Sequence, residues 1–185
     1  ACLELKPLCD IYLEEEQMAD LLHDIEVPLV EVLADMEHTG VRIDTDALAA
    51  YSKALTQRLA DIERTCIGLA GIQFNVGSPA QVGEVLFDKL KIDEKAKKTK
   101  TGQYSTTEEV LEKLSGKHPI VGKILEFRKI KKLLSTYVNA LPELINPHTG
   151  KIHTTYLQTV TATGRLSSTT ANLQKIPIRH DAGRE

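Results

Sequence analysis

A polar run near the end of the chain carries the side chains best suited to chemistry. Residues 161–168 read TATGRLSS and residues 172–179 read NLQKIPIR, so Arg, Asn, Gln and hydroxyl groups surround a glycine, with few large apolar side chains. Side chains of these types donate hydrogen bonds to phosphates and base edges, and Gly164 allows the backbone to approach a bulky ligand. The run predicts a contact with nucleic acid.

Arg165 is the central residue of this prediction. It lies beside Gly164, directly after a predicted strand, so its fork of donors can reach the N3 and O2 acceptors that the minor groove presents at every base pair. Asn172 and Gln174 add donors for a template strand, and Arg179 can bind a phosphate. The alternative is a polar loop over a small sheet, in which Arg165 forms an internal salt bridge.

Two basic segments upstream support the same prediction. A helical stripe with spacings of 4, 3 and 4 consists of Arg128, Lys132, Ser135 and Asn139. Two cations one helical turn apart can follow phosphates. Residues 91–104 lack apolar periodicity and suit a clamp on a nucleic-acid backbone; their central lysines are Lys95, Lys97, Lys98 and Lys100. The alternative for both segments is an ordinary solvated surface.

The charge is divided unevenly along the chain. Residues 1–40 carry eleven acidic residues and one basic residue, whereas residues 41–185 carry fifteen acidic and twenty-two basic residues. This asymmetry predicts two surfaces with different partners.

At 185 residues and 42% hydrophobic, the chain can form one core or two small ones. It contains neither an apolar run of membrane-spanning length nor a signal peptide.

The three cysteines form no CxxC pair, which favours a reducing cytosolic compartment with Cys66 in the core. A metal site at Cys2 and Cys9 lacks the further ligands it would need. The chain begins Ala-Cys-Leu-Glu without an initiator Met, which suggests a processed or excised piece.

The elements that must position the polar residues are mostly helices. Residues 26–39 predict a helix that Gly40 ends, and Asp44 caps a longer helix that ends at Gly71. The apolar residues of the longer helix recur every three or four positions, as expected of an amphipathic helix; they are Leu48, Tyr51, Leu55, Leu59, Ile62, Cys66 and Leu69.

Three further helices are predicted from their N-terminal signals: residues 78–90, residues 105–114 with a capping box (STTE) at the start, and residues 118–141. Residues 146–150 (NPHTG) predict a turn, and the β-branched stretch 152–160 predicts a strand. The predicted fold is mainly α with a small antiparallel β region, in which a helical arm with a basic loop at its tip leads into a few strands.

The polar run resembles the motif at the start of the palm in family A DNA polymerases, the bacterial DNA polymerase I group. Other segments match in the same order: 36–44 (MEHTGVRID), 74–79 (FNVGSP), 97–99 (KKT), 105–111 (STTEEVL) and 145–150 (INPHTG). The resemblance covers nearly everything from Val27 onward. The family usually has Pro where Ala171 stands and Asn where Lys175 stands, and both positions lie in a connecting loop.

The resemblance implies three parts. Residues 1–26 are the tail of a 3′–5′ exonuclease-like domain, residues 27–146 a helical thumb, and residues 147–185 the truncated N-terminal part of a palm. The thumb tip grips the duplex minor groove, Arg128 and Lys132 contact the DNA backbone, and Arg165 lies at the primer terminus. The implied DNA-binding residues are Lys97, Lys98, Lys100, Arg128, Lys132, Thr161, Arg165, Asn172, Gln174 and Arg179.

The resemblance implies no catalytic residue within this chain. Nucleotidyl transfer in the family uses two Mg²⁺ ions held by carboxylates, and Asp181 and Glu185 match none of the family's catalytic positions. The full-length enzyme is expected to bind duplex primer–template DNA, dNTP and Mg²⁺ in the bacterial cytoplasm, at the nucleoid, for replication and repair, with no membrane partner. This chain alone is expected to bind no metal and to be inactive.

Two other hypotheses compete with a polymerase fragment. One is a stand-alone helical DNA-binding or adaptor module, which should begin with Met and complete its last element. The other is a helical scaffold without a nucleic-acid role. Duplex binding that weakens steeply with salt would exclude the scaffold, because phosphate contacts release counterions.

Overall fold

The structure, a computed structural model, describes residues 2–94, 96–99 and 102–169, apart from the side chain of Cys2. These residues form two compact units. The first consists of residues 2–43 and 144–169, and the second of residues 44–94, 96–99 and 102–143. The described chain is mostly helical and has a two-stranded antiparallel sheet. The predicted fold class, mainly α with a small antiparallel β region, is therefore confirmed.

The first unit begins with three helical segments: α1 (Cys2–Glu15), a π-helical segment (Leu21–Glu26) and α2 (Val27–Thr39). Helix α2 ends where Gly40 adopts a φ of +64° and donates its N–H to the Met36 carbonyl at 3.0 Å. A Cβ atom on Gly40 would lie 2.7 Å from the imidazole of His153, so this position needs glycine for both its backbone and its packing. The predicted helix and its glycine end are confirmed.

A tight turn follows in the same unit, as the NPHTG sequence predicts. The Asn146 carboxamide oxygen accepts the N–H of His148 at 2.9 Å, and Gly150 has a φ of +66° and donates to the Asn146 carbonyl at 2.9 Å. The turn returns the chain to the end of α2, where Val41 and Ile152 exchange backbone hydrogen bonds of 2.8 and 2.9 Å.

The sheet consists of β1 (Tyr156–Leu157) and β2 (Ser167–Ser168), with Tyr156 opposite Ser168. The predicted strand over 152–160 is wrong in its length. Side chains satisfy backbone groups at the start of β1 and directly after β2, because the Glu37 carboxylate accepts the N–H of Tyr156 at 2.6 Å and the Thr154 hydroxyl donates to the Thr169 carbonyl at 2.7 Å. A longer ladder is not needed to satisfy those groups.

The second unit contains these helical segments in chain order: α3 (Thr45–Ala70), α4 (Pro79–Gly83), a π-helical segment (Glu84–Lys89), α5 (Glu108–Leu114), α6 (Pro119–Leu133), and a second π-helical segment (Leu134–Val138). A 3₁₀ helix (Pro142–Leu144) follows at the boundary between the units. Asp44 caps α3 by accepting the N–H of Ala47 at 2.9 Å, and Gly71 ends it with a φ of +65°. Both ends of the longest helix are thus where the sequence predicts them.

The core of this unit lies between α3 and α6. Leu55, Ile62 and Cys66 are buried on α3, and the other predicted stripe residues pack around them partly buried: Leu48, Tyr51, Leu59 and Leu69. They meet buried residues of α6 such as Ile120, Ile124 and Phe127. Burial raises the pKa of the Cys66 thiol to about 11, so this cysteine is an unreactive core residue, as predicted.

Three helix predictions need correction. The predicted helix 78–90 begins as expected after Ser78 but is α-helical only to Gly83, where the π-helical segment Glu84–Lys89 replaces it. The capping box at 105–108 is wrong, because α5 begins at Glu108 with Thr107 as its N-cap and no side-chain cap bond. The backbone N–H of Ser105 instead donates to the Lys97 carbonyl at 3.3 Å, which draws this residue into a loop. The predicted helix 118–141 begins as expected at His118 but is α-helical only to Leu133, where the π-helical segment replaces it.

Candidate nucleic-acid interface

The lysine-rich loop is an ordered hairpin in the residues described. Thr99 donates its N–H to the Gln103 carbonyl at 2.7 Å, and Lys98 pairs antiparallel with Tyr104. We call residues 97–99 and 102–105 the basic hairpin. The side chains of Lys97 and Lys98 are exposed on it, so two of the predicted cations are presented on a structured loop.

An aromatic residue lies at the base of the basic hairpin. The Tyr104 ring packs against the ring of Phe87 with centroids 4.9 Å apart, and the Lys98 ammonium lies 4.6 Å from the Tyr104 centroid. The Tyr104 hydroxyl donates to the Asp88 carboxylate at 2.5 Å, and this hydrogen bond raises the pKa of the Tyr104 phenol. The basic hairpin is thereby joined to the core, because Phe87 is buried.

Arg128 on α6 has an internal partner. Its guanidinium donates to the carbonyl oxygen of Thr106 and, at 3.0 Å, to the hydroxyl of the same residue. The side chain is half-buried, and this burial lowers the pKa of the guanidinium below its ordinary value. Arg128 therefore holds the segment between the basic hairpin and α5 against α6.

Lys132 lies one turn after Arg128 on the same helix and is exposed. The predicted four-residue stripe does not continue beyond it with α-helical spacing, because Ser135 lies within the π-helical segment and Asn139 directly follows that segment. The Asn139 carboxamide oxygen accepts a hydrogen bond of 2.8 Å from Ser52 on α3. The stripe thus reduces to its two cations.

Other cations of this unit are neutralised by an acidic residue. Arg58 on α3 and Lys123 on α6 both pair with Glu126, at 2.7 and 2.9 Å. The hydrogen bond from Lys123, aided by that from Arg58, holds the pKa of the Glu126 carboxyl below its ordinary value. The exposed Lys97, Lys98 and Lys132 therefore differ from Arg58 and Lys123, whose charges are paired with a carboxylate.

The described part of the polar run, residues 161–168, belongs to the other unit and leads from β1 into β2. Gly164 has a φ of +68°, and a Cβ atom there would meet nothing within 4 Å among the described residues. The Thr161 hydroxyl donates to the backbone carbonyl of Arg165, and the Arg165 side chain is exposed. The hydrogen bond from Thr161 stabilises the backbone of this turn, while the Arg165 guanidinium is exposed to solvent.

Four predicted DNA-binding residues lie outside the described residues: Lys100, Asn172, Gln174 and Arg179. Among the described predictions, one unit contains Lys97, Lys98, Arg128 and Lys132, and the other contains Thr161 and Arg165. The hairpin lysines and the α6 cations are thus brought into one unit by its fold.

Sequence reasoning missed the cluster around Tyr104 and the partner of Arg128. The available signal for the first was an aromatic residue at the end of a lysine-rich loop, since aromatic rings accept cations on their faces. For the second the sequence offered no signal, because Thr106 and Arg128 are 22 positions apart.

Within the part of the chain that the structure describes, no group of three or more His, Cys, Asp or Glu side chains is arranged to hold a metal ion. Across the same residues, no helix combines the length and apolar character needed to cross a membrane.

A helical unit that presents lysines on an ordered hairpin has the kind of surface that binds a nucleic-acid backbone. The chain belongs to DNA polymerase family A, whose family model matches residues 45–185. The resemblance seen in the sequence motifs is thereby confirmed.

Individual relatives agree with this assignment. DNA polymerase I of Synechocystis is 52% identical over 170 residues, which are 91% of this chain and 17% of that protein. DNA polymerase I of Geobacillus stearothermophilus is 49% identical over 180 residues, 97% of this chain and 20% of that protein. The chain therefore spans about a fifth of the length of these relatives.

A solved structure has the same fold. The POL domain of Pol1 from M. smegmatis, in a complex with DNA primer–template and dNTP, superposes with a TM-score of 0.83 at 40% identity. The match covers 98% of this chain and 32% of that one.

Proposed function

We propose that this chain forms the primer–template-gripping part of a DNA-directed DNA polymerase of the DNA polymerase I type, which acts in bacterial DNA replication and repair. The observation that carries the proposal is the basic hairpin, where Lys97 and Lys98 are exposed on an ordered loop. Membership of family A and the likeness to a Pol1 domain that holds primer–template support it.

The proposal assigns a role to each part of the chain. Residues 27–146 act as the thumb, residues 147–185 as the first part of the palm, and residues 1–26 as the tail of an exonuclease-like domain. The basic hairpin and Lys132 bind phosphates of the duplex. Arg128 contacts the DNA backbone with the donors of its guanidinium that Thr106 does not occupy. Thr161 and Arg165, with Lys100, Asn172, Gln174 and Arg179, complete the proposed DNA contacts.

The proposed whole enzyme works with two Mg²⁺ ions and a dNTP in the cytoplasm, at the nucleoid. When bound, the ions would activate the primer hydroxyl and stabilise the leaving pyrophosphate. Among the described residues, no group of three or more His, Cys, Asp or Glu side chains is arranged to hold a metal ion. The proposed work of this chain is to bind and orient DNA. We expect the isolated chain to show no primer extension.

Duplex binding tests the proposal. A labelled primer–template duplex is titrated with the chain at several salt concentrations between about 50 and 200 mM, where phosphate contacts give a steep loss of affinity. Replacing Lys98 and Lys132 together with Ala should reduce the slope of log K against log salt by about 1.8, since each phosphate contact contributes about 0.9.

The matched control replaces two other exposed lysines, Lys53 on α3 and Lys113 on α5. This variant removes the same charge and should keep the wild-type slope. Equal slopes for the two double variants would mean that net charge alone attracts DNA. Binding that is absent, or independent of salt, would overturn the proposed function and favour a helical scaffold.

A further inference from the structure

We propose that Tyr104 is a positioning residue that holds the Lys98 side chain ready to meet a DNA phosphate. The inference rests on the proposed function, because it concerns how the basic hairpin grips a duplex. It goes beyond that function by assigning a role to a residue that is neither basic nor in the predicted DNA contacts.

Three neighbours contact the Tyr104 side chain. Phe87, only 7% exposed, packs against it with an interplanar angle of 42°. Asp88 accepts its hydroxyl at 2.5 Å. Gly83 lies so close that an added Cβ would be 2.9 Å from the Tyr104 Cβ. A ring held in this way by the core can act as a rigid platform.

Lys98 uses that platform. It lies opposite Tyr104 in the antiparallel pairing, and its ammonium is 4.6 Å from the ring centroid while its side chain remains exposed. An exposed lysine ordinarily loses rotamer freedom when it binds a phosphate, and a side chain ordered beforehand loses less. At an exposed site, a cation–π contact corresponds to a factor of about two to five in the population of the ordered position.

Lys97 supplies an internal comparison. It precedes Lys98 in the same extended arm, where successive side chains point to opposite faces. Its side chain is also exposed, so both lysines carry charge on the same hairpin. The proposal therefore predicts that Tyr104 affects binding through Lys98 and not through Lys97.

Two double-mutant cycles test this in the complete chain, with the labelled primer–template duplex. Lys98→Ala should lower affinity about eightfold near 0.1 M salt, because one phosphate contact contributes about 0.9 to the logarithmic slope. Tyr104→Leu should lower it about two- to fivefold, the factor expected of the lost ring contact. The double variant should bind like Lys98→Ala alone, whereas Tyr104→Leu combined with Lys97→Ala should be additive.

Tyr104→Phe is the control for a folding defect, because it keeps the aromatic ring and removes only the hydroxyl. It should remain within about twofold of wild-type affinity. The ε-methylene protons of Lys98, observed by NMR without DNA, should show an upfield ring-current shift that persists in Tyr104→Phe and disappears in Tyr104→Leu.

The outcomes separate this inference from the proposed function. Additive effects of Tyr104→Leu and Lys98→Ala, an unshifted Lys98 in the wild type, or tighter binding by Tyr104→Leu would overturn the inference alone. An unchanged affinity of Lys98→Ala would also overturn it, while the function would still be judged by the Lys98 and Lys132 double variant. Failure of the wild-type chain to bind the duplex would overturn both.

Discussion

Replacement of Arg128 by Ala should destabilise the second unit, although its sequence context suggests a surface residue. The guanidinium donates two hydrogen bonds to Thr106, which is only 6% exposed. Truncation removes both bonds and leaves the carbonyl and hydroxyl oxygens of Thr106 without these donors.

The expected magnitude follows from two opposing effects. Hydrogen bonds to a charged group contribute about 1.5–3 kcal/mol each, and an unsatisfied buried polar group costs about 1–3 kcal/mol. Burial of the cation offsets part of this gain, as the lowered pKa of Arg128 indicates. The net loss should therefore be about 2 kcal/mol rather than the sum of the individual contributions.

The free energy of unfolding, measured by urea denaturation with circular dichroism, checks this value. Lys132→Ala is the matched control, because Lys132 is an exposed cation one turn along the same helix, and it should change stability by less than about 0.5 kcal/mol. Arg128→Lys should recover only part of the loss, since an ammonium lacks the two-pronged geometry of the guanidinium.

Equal stabilities of Arg128→Ala and Lys132→Ala would refute the reasoning. A loss that Arg128→Lys restores completely would also contradict it, because charge alone and not the paired hydrogen bonds would then matter.

Two further predictions concern other parts of the chain. Gly40→Ala should destabilise the first unit by about 1–3 kcal/mol, because alanine is strained at a φ of +64° and its Cβ would meet the His153 ring. Thermal unfolding should show a smaller loss of stability for Gly150→Ala, since Gly150 has positive φ but open space around it. Similar losses for the two variants would exclude the clash with His153 as the cause. The lowered pKa of Glu126 means that its ion pairs stabilise the fold above the ordinary carboxyl pKa of 4.5 and are lost as pH falls below it. The unfolding free energy of Glu126→Gln should therefore decline less steeply than that of the wild type in acid, and parallel curves would contradict this.

Local signals in the sequence were sufficient for most helix ends. Asp44 and His118 precede helices as N-caps, where a carboxylate and a ring nitrogen accept backbone N–H groups, and Gly40 and Gly71 end helices where positive φ is needed. These signals involve residues within one turn of each other, so no tertiary information is required. The family could be identified for a similar reason, since its motifs are contiguous.

Local signals failed where backbone groups found distant partners. The strand after Ile152 is short because the carboxylate of Glu37, far away in sequence, takes the N–H of Tyr156. Ser105 is not a helix cap because its backbone belongs to the basic hairpin. In both cases a hydrogen bond to a residue outside the predicted element replaces the one that the local pattern predicts.

The sequence by itself determined which residues carry charge and which helix faces are apolar, because side-chain type and helical period are local properties. Only the tertiary structure decided how those charges are used. It joins Arg128 to Thr106, pairs Arg58 with Glu126, and places Lys98 over the ring of Tyr104 while Lys132 stays exposed. The physical reason is that a cation's availability depends on what the fold brings within a few ångströms of it, and neither composition nor spacing specifies that neighbour.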